Sequence, residues 1–298
     1  MEFNFLLGKY VNMVPNVYKN SAWVTHIPFM MFLIENFKPR RFVELGTHWG
    51  ASYFAACQTV DFLELQCECI AIDHWRGEEH AGTYSDEVFS DVTENNKIYK
   101  QFSKLVRKTF EEGLAEIEDD SIELLHIDGF HSYEAVVRDF KSAYPKLNKN
   151  KSIVLFHDIN EYQDGFGVHK FWQEIKENNK TLEFKHGHGL GVVFLGSGFP
   201  IEITRMIDNL DNQSFTISIQ AFFEILGNRI EKIQKVSELV SLNSQHALSR
   251  AALSKDYSSL LSSHKNLEKE LNSMQNSSSW KLTLPMRKFM RILRNIWS

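Results

Sequence analysis

Short apolar runs rich in β-branched residues alternate with stretches of helical spacing up to about residue 198. Four runs predict buried strands: RFVEL (41–45), CECIAIDHW (67–75), IELLHID (122–128) and SIVLFHD (152–158). Helices are predicted in ASYFAACQTV, from Gly129 to about Tyr144, and in FGVHKFWQEIKENN. Residues 85–110 have helical character, with a further short strand expected at VRKTF (106–110). Alternating strands and helices indicate a parallel, doubly wound sheet.

The last two β-prone runs lie within LEFKHGHGLGVVFLG, where only Gly187, His188 and Gly189 separate them. A parallel pair needs a crossover of about a dozen residues or more, so these two strands must form a hairpin. The predicted fold class of residues 39–198 is therefore α/β, a Rossmann-like, mostly parallel sheet with a C-terminal antiparallel hairpin strand.

Beyond residue 198, apolar residues recur at alternating spacings of four and three residues within LSKDYSSLLSSHKNLEKELNSM. This seam extends from Leu253 to Met274, and a less regular stripe precedes it from Leu226 to Val240. Either one long helix packs on its own domain, or a short coiled coil joins two copies of the chain. We predict a connecting helical segment at 199–228 and a long helix or coiled coil at 229–275 that forms a homo-oligomer.

A polar hinge within NSMQNSSS leads into a basic amphipathic segment, LPMRKFMRILRNIWS, and together they define a tail at 276–298. At about 100° per residue, the apolar side chains fall on one side and the basic ones on the other. Residues 281–298 contain five basic residues and no acidic one. This pattern is typical of a helix in the interface of an anionic membrane, and a helix that docks on a protein partner is the alternative.

Composition excludes several classes of function. The 298 residues, 43% of them hydrophobic, can bury one substantial core and leave an extension. The net charge of −5 argues against a nucleic-acid partner. No run of about 18 apolar residues predicts a spanning helix, and the N-terminus lacks the pattern of a signal peptide. Cys57, Cys67 and Cys69 lack zinc spacing, which favours reduced thiols and a cytoplasmic protein, with the tail at the inner face of the membrane.

The stretch FVELGTHWGASY (42–53) joins the first strand to its helix through a glycine-rich turn. In an open α/β sheet this turn lies at the carboxyl edge, where ligands bind. Its glycines let backbone amides and a helix N-terminus approach a ligand closely. Glycines that merely pack would give a similar pattern, so the turn alone leaves both interpretations open.

Three strands end in acids: Asp73, Asp128 and Asp158. A single acid at such a position is commonly an N-cap of the next helix. After the second strand, however, a carboxylate is well placed to accept hydrogen bonds from ribose hydroxyls, which suits Asp73. Asp128 and Asp158 should end neighbouring strands, where two carboxylates would repel each other unless they share a divalent cation such as Mg²⁺ or Mn²⁺.

His131 follows Asp128 at the start of a predicted helix. A neutral imidazole can take the proton of a substrate hydroxyl, and a positioned base accelerates a reaction by about 10²- to 10⁴-fold. We therefore predict His131 as the catalytic base. A capping or packing role for this histidine is the alternative.

A family resemblance is carried, in order, by VELGTHWGASY, AIDHWRGEEHAG, LLHIDGFHSYEAVVRDF, IVLFHDIN, FGVHKFWQEI and HGHGLGVVFLG. Together they resemble class I S-adenosylmethionine-dependent methyltransferases of the family associated with bacterial surface-polysaccharide and other glycan biosynthesis. The resemblance spans about residues 39–198. It implies that Glu44, Gly46 and Gly50 cradle the methionine part of S-adenosylmethionine and that Asp73 binds its ribose.

The segments IDGFH and FHDIN are similar in placement to the metal and base segments of catechol-type O-methyltransferases. This similarity implies Asp128 and Asp158 as metal ligands and puts His131 where that relative has a lysine. His157 precedes Asp158 where that relative has a different residue, and we include it in the predicted ligand set. His48 stands at the second glycine of the common glycine-x-glycine turn, a glycine that the catechol-type pattern also lacks. The tail sequence SSSWKLTLPMRKF is similar to a C-terminal motif of glycan-assembly enzymes, which implies a glycosyltransferase contact through 281–298.

The sequence thus predicts an O-methyltransferase that transfers the methyl group of S-adenosylmethionine to a sugar hydroxyl in a surface glycan. The positive sulfonium is already a strong electrophile, so the enzyme chiefly aligns the acceptor oxygen and removes its proton. The N-terminal helical cap segment, 1–38, and the loop at 74–84 are expected to close over the acceptor. The alternatives are a non-catalytic adaptor that tethers a glycan-assembly complex to the membrane, and a small-metabolite O-methyltransferase.

Overall fold

The structure is a computed structural model that describes residues 6–19, 21–78, 82–83 and 85–296. The chain divides into two compact units, Met1–Gln234 and Lys235–Ser298. The first five residues of the predicted cap segment and Trp297 of the predicted tail helix lie outside the described ranges.

The described residues form nine strands in two sheets. The strands are β1 (Arg41–Leu45), β2 (Glu68–Asp73), β3 (Gly77–Glu78), β4 (Gly82–Thr83), β5 (Ser103–Arg107), β6 (Leu124–Ile127), β7 (Lys151–His157), β8 (Lys180–Phe184) and β9 (Leu190–Gly196). Seven of them build one sheet in the order β5-β2-β1-β6-β7-β9-β8, and β3 pairs with β4.

The topology of the large sheet confirms the predicted fold class. β1 runs parallel to β2 and β6, β2 to β5, and β6 to β7. β9 runs antiparallel to β8, as the short hairpin loop required, and it also runs antiparallel to β7. The strand order reverses between β1 and β6, and the crevice at the carboxyl ends of such a pair is where open α/β sheets bind ligands.

Ten α-helices lie in the described part of the chain. They are α1 (Ile27–Phe37), α2 (Ala51–Phe62), α3 (Asp86–Asn96), α4 (Phe110–Ala115), α5 (Tyr133–Ala143), α6 (Val168–Glu177), α7 (Ile201–Asp208), α8 (Gln213–Asn276), α9 (Ser278–Leu282) and α10 (Leu284–Ile296). Successive strand residues contribute to opposite cores, because side chains alternate across a strand. In β6, for example, Leu124 joins one cluster and Leu125 the other.

The strand expected at residues 106–110 lies at Ser103–Arg107 instead. Thr109 is the N-cap of α4, and its side chain accepts a hydrogen bond from the Glu112 amide. The Glu112 carboxylate in turn accepts one from the Thr109 amide. This capping box starts the helix at Phe110 and so ends the extended conformation earlier than predicted.

The first compact unit extends beyond the predicted methyltransferase segment, 39–198, at both ends. α1 is apolar on nearly all sides, and Phe29 and Phe32 are buried in the same core as Phe54 of α2 and Phe223 of α8. A helix of this kind must be covered, so the cap segment is part of the core. The unit ends at Gln234, inside α8.

α8 is one helix of 64 residues that begins at Gln213 rather than at residue 229. Its early residues, such as Phe215 and Ile219, are buried. The predicted seam farther along is exposed: Leu253 by 70%, Leu260 by 68% and Leu267 by 64%. In a coiled coil a second helix would cover this seam. The coiled coil stays a prediction, and these exposed leucines are its expected contact surface.

We expect Leu260→Asp combined with Leu267→Asp to convert a dimer into a monomer, because carboxylates buried in the seam would have no partners. Size-exclusion chromatography with light scattering measures the mass. The control, Ser259→Asp with Ser262→Asp, adds the same charge at exposed positions off the seam. A monomeric wild-type protein, or a control that also dissociates, would contradict the seam.

The predicted hinge is confined to one residue. α8 ends at Asn276 and α9 begins at Ser278, with Ser277 between them in an extended conformation. Among the helices of the described ranges, none combines the length and apolar character needed to cross a membrane. The three cysteines are buried and free of disulfides, as predicted, while the cytoplasmic location stays a prediction.

Candidate functional site

The turn after β1 brings the backbone close to the end of β6. Gly46 has a φ of +88°, and a Cβ atom there would lie 2.1 Å from the backbone oxygen of Asp128. Gly50 precedes α2 with a φ of +80°, and its Cβ would lie 2.6 Å from the Phe54 ring. Both positions favour glycine because the conformation is left-handed and the space is filled.

Asp73, at the end of β2, holds this turn in place. Its Oδ2 accepts hydrogen bonds from the backbone amides of Thr47 (3.0 Å) and His48 (2.9 Å). Its Oδ1 accepts one from the amide of Trp75 (2.6 Å). A carboxylate offers about four acceptor positions, so capacity remains for a ribose hydroxyl, and that role of Asp73 stays a prediction.

His48 adopts the conformation that a glycine would adopt at this position. Its φ is +49°, which is uncommon for a residue with a Cβ atom. Its amide is bonded to Asp73, and its carbonyl oxygen accepts a hydrogen bond from Trp75 Nε1 at 2.9 Å. Asp73 and Trp75 therefore stabilise a turn that would otherwise be strained.

A first cavity of about 310 Å³ opens beside this turn. Gly46, His48 and Asp73 line one part of it, and residues 109–111 and 128–130 line another. Of the predicted cofactor residues, Gly46 and Asp73 thus face one cavity. A nucleoside in this cavity would lie against the end of β2, and that placement stays a prediction.

The three predicted metal ligands meet at the ends of β6 and β7. The register pairs Ile127 with Phe156, so Asp128 and His157 come side by side and Asp158 follows. One ligand atom from each of these three residues lies within 4.8 Å of the other two. His157 Nδ1 is 3.3 Å from Asp128 Oδ1 and 3.3 Å from Asp158 Oδ2.

Three imidazoles surround the carboxylate of Asp158. Its Oδ2 lies 2.8 Å from His131 Nε2 and 3.3 Å from His157 Nδ1, and its Oδ1 lies 3.4 Å from His188 Nδ1. The backbone of Asp158 is left-handed, with a φ of +60°. A non-glycine residue in this conformation is strained, and it persists only where the surrounding structure compensates for the strain. Such residues cluster at functional sites.

The electrostatic balance keeps both carboxylates ionised. Burial alone would lower the pKa of His157, but Asp128 and Asp158 outweigh it and raise that pKa well above its ordinary value. Burial alone would raise the pKa of Asp158, yet His157 and His131 hold it well below its ordinary value. His157 likewise lowers the pKa of Asp128. The two negatively charged carboxylates, Asp128 and Asp158, can therefore be neutralised by a protonated His157 or by a divalent cation.

A second cavity of about 230 Å³ lies against these acids. His131, His157 and Asp158 line it, together with the aromatic side chains of Trp23, Trp49 and Phe166. The predicted cofactor residue Gly50 also lies here rather than in the first cavity. The two cavities share Gly46, His48 and Asp128, so ligands in both would meet at these residues.

Glu44 does not line either cavity in the described part of the chain. Its side chain is 0% exposed, and its Oε2 lies 2.8 Å from Nδ1 of His126. Trp23 Nε1 donates to His126 Nε2 at 2.9 Å, so a neutral His126 carries its proton on Nδ1 and donates it to Glu44. One oxygen of this carboxylate is thus bonded to His126 beneath the turn, and a direct contact of Glu44 with the cofactor stays a prediction.

The carbonyl oxygen of Gly187 orients one of the predicted metal ligands. It lies 3.0 Å from His157 Nε2 and 3.1 Å from His26 Nε2. With Nε2 held in this way, His157 presents Nδ1 to the two carboxylates. Gly187 has a φ of +54°, and a Cβ there would lie 2.4 Å from Thr25 Oγ1, so the hairpin turn packs tightly on the N-terminal segment.

The segments predicted to close over the acceptor are described to different extents. Ser21 and Trp23 of the N-terminal segment line the second cavity. His74 and Gly77, from the loop after β2, line the first cavity instead. Residues 79–81 and 84 of that loop lie outside the described residues, so its role as a cover stays a prediction.

Sequence reasoning missed His126 and Trp23. A signal for His126 existed, because this histidine interrupts an apolar strand and pairs in register with Glu44 on β1. Two polar residues in buried strands must find partners, and each is the other's nearest candidate. Trp23 gave no local signal, since it lies 103 residues from His126 along the chain.

One relative has a similar sequence over part of its length. Uncharacterized protein y4gI of Sinorhizobium fredii (strain NBRC 101917 / NGR234) is 49% identical over 177 residues, which cover 59% of this chain and 19% of that protein. The match therefore spans about a fifth of the relative's length.

Three solved structures have a partly similar fold. The S-adenosylhomocysteine-bound methyltransferase PaMTH1 of Podospora anserina is 17% identical, with a TM-score of 0.43 over 56% of this chain and 76% of its own. The O-methyltransferase TomG of Streptomyces achromogenes, involved in tomaymycin synthesis and bound to S-adenosylmethionine, is 12% identical, with a TM-score of 0.44 over 61% and 83%. An S-adenosylhomocysteine-bound O-methyltransferase of Bacillus cereus is 13% identical, with a TM-score of 0.42 over 61% and 84%.

The family comparison concerns the part of the chain that carries the site. The matched segment, residues 43–159, begins in β1 and ends just after Asp158, so it includes the glycine turn, Asp73, Asp128 and His131. Over residues 43–159, the chain matches the family described as Methyltransferase domain.

Proposed function

We propose that the protein is an S-adenosylmethionine-dependent O-methyltransferase that methylates a sugar hydroxyl with the help of a divalent cation. The observation that carries the proposal is the meeting of two cavities at Gly46, His48 and Asp128, beside Asp158 and His131. Methyl transfer requires a donor and an acceptor aligned in adjacent sites. The methyltransferase match of residues 43–159 supports the first cavity as the donor site.

In the proposed reaction the acceptor oxygen attacks the methyl carbon and the carbon–sulfur bond breaks. The electron pair of that bond stays on sulfur, which loses its positive charge, and the hydroxyl proton passes to His131. The Asp158 carboxylate, 2.8 Å from His131 Nε2, would stabilise the imidazolium that forms. The chain thus supplies orientation and a base, the two requirements of this transfer.

The donor set at the strand ends fits a divalent cation. Two carboxylates and one imidazole nitrogen suit Mn²⁺, and carboxylate oxygens also suit Mg²⁺. The cation, when bound by Asp128, His157 and Asp158, would polarise the acceptor hydroxyl. Gly187 and His26 would act through His157, by holding the ring so that Nδ1 faces the site.

The lining of the second cavity supports a sugar as the acceptor. Trp49 and Phe166 offer aromatic faces, and the acids and histidines offer hydrogen-bond partners for several hydroxyls. A small aromatic metabolite would use the same faces and fewer of the polar groups. An adaptor without activity would have no use for a base, two ionised carboxylates and two adjoining cavities.

Calorimetric titration with S-adenosylmethionine and with S-adenosylhomocysteine, with and without Mg²⁺, tests the donor site. We expect micromolar binding that Asp73→Ala weakens about tenfold or more, because the charge-assisted bonds to the turn are lost. Asp256→Ala removes an acid from an exposed position on α8 and should leave binding unchanged. No binding of either compound under any condition would overturn the enzyme and favour the adaptor.

A further inference from the structure

The tail helix α10 separates apolar from basic side chains along its whole described length. Its apolar face is exposed, with Met286 at 72%, Phe289 at 62%, Met290 at 57% and Leu293 at 37%. The opposite face carries its basic residues: Arg287, Lys288, Arg291 and Arg294. An apolar face exposed to this extent on a short helix indicates a surface that something else covers.

A local structure fixes the start of this helix. Ser277 caps α9 by accepting a hydrogen bond from the Trp280 amide. The Arg287 guanidinium stacks 3.9 Å from the Trp280 ring centroid and donates to the Trp280 carbonyl oxygen (2.5 Å) and to Thr283 Oγ1 (2.6 Å). Trp280, Thr283 and Arg287 of SSSWKLTLPMRKF thus hold α10 against α9. Three basic side chains of α10 take no part in these contacts: Lys288, Arg291 and Arg294.

The surface next to the contact between Arg287 and Trp280 combines apolar and cationic side chains. An open groove of about 550 Å³ is lined by the thioethers of Met286 and Met290 and by the guanidinium groups of Arg287, Arg291 and Arg294. An amphiphile with an apolar chain and an anionic head matches such a lining. A nucleic acid would match only the cations, and an apolar protein groove would match only the thioethers.

We propose that α10 binds the surface of an anionic membrane, with its apolar face in the interface and its cations at the lipid phosphates. Residues 281–298 contain no acid that would be repelled by such a surface. Each cation near an anionic bilayer strengthens binding by roughly fivefold, and the apolar face adds a contribution that salt does not screen. This inference does not depend on the proposed methyl transfer.

Co-sedimentation of the full chain with vesicles tests the proposal. We expect binding to vesicles of 30% phosphatidylglycerol in phosphatidylcholine at 0.1 M salt, and little binding to pure phosphatidylcholine. The triple variant Lys288→Glu, Arg291→Glu, Arg294→Glu should lower the partition coefficient about a hundredfold or more. Phe289→Ser with Leu293→Ser should lower it about tenfold or more.

Two matched controls separate position from composition. Lys255→Glu, Lys265→Glu, Lys269→Glu changes the net charge equally at exposed positions of α8, and Ile217→Ser with Ile225→Ser removes two other exposed apolar side chains. Both should bind like the wild-type protein. Absence of wild-type binding to the anionic vesicles, as expected of a helix that docks on a protein, would overturn the proposal. Equal loss in the charge control would do so as well.

Discussion

Replacing His131 with alanine is expected to lower turnover about a hundredfold or more and to leave the affinity for S-adenosylmethionine nearly unchanged. The imidazole lines the second cavity, 2.8 Å from Asp158, whereas the predicted ribose-binding residue Asp73 lines only the first. A panel of sugar nucleotides is first screened with the wild-type protein, and the one methylated fastest is used as the acceptor. Turnover is then measured as the S-adenosylhomocysteine released. Calorimetry with S-adenosylmethionine measures the affinity.

Two further variants decide what the histidine does. His131→Lys places a different base at the same position, so it should recover part of the turnover that alanine loses. His246→Ala removes an exposed histidine of α8 and should change neither quantity. Unchanged turnover in His131→Ala would refute the base. Loss of cofactor affinity, without rescue by lysine, would assign His131 a structural role.

Much of the sheet could be predicted because its signals are local. RFVEL forms β1 with the predicted bounds, and the antiparallel direction of β9 followed from the few residues in its loop. The displaced β5 also had a local signal, since Thr109 and Glu112 have the spacing of a capping box that ends the strand. The start of α8 at Gln213 was not predictable in this way, because it depends on burial of Phe215 and Phe223 in the core that α1 also joins.

Some residues of the candidate site could likewise be predicted from local signals, and others could not. Asp73, Asp128 and Asp158 follow strands whose positions are set locally, so the sequence could bring them to one edge of the sheet. Trp23 and His26 reach that edge only because the N-terminal segment packs into the core, and His26 meets a carbonyl 161 residues away. No spacing rule within the sequence encodes such contacts, since they depend on how distant elements pack.

Gly46 of the turn should tolerate little change. Gly46→Ala is expected to lower the affinity for S-adenosylmethionine about a hundredfold or more and to lower the melting temperature by several degrees. A left-handed φ of +88° costs about 1–3 kcal/mol for a residue with a Cβ. That Cβ would also lie 2.1 Å from the Asp128 oxygen, so β1 and β6 must separate where the two cavities meet. Thermal unfolding and calorimetry measure both effects.

Gly165→Ala provides the matched comparison. Gly165 has a φ of +92° in an exposed loop, so the variant introduces the backbone strain without the approach to β6. We expect it to lower the melting temperature less and to leave the cofactor affinity unchanged. The difference between the two variants then measures the contact of Gly46 with Asp128. If both variants lose stability equally and neither loses affinity, the close approach of the turn to Asp128 does not shape the donor site.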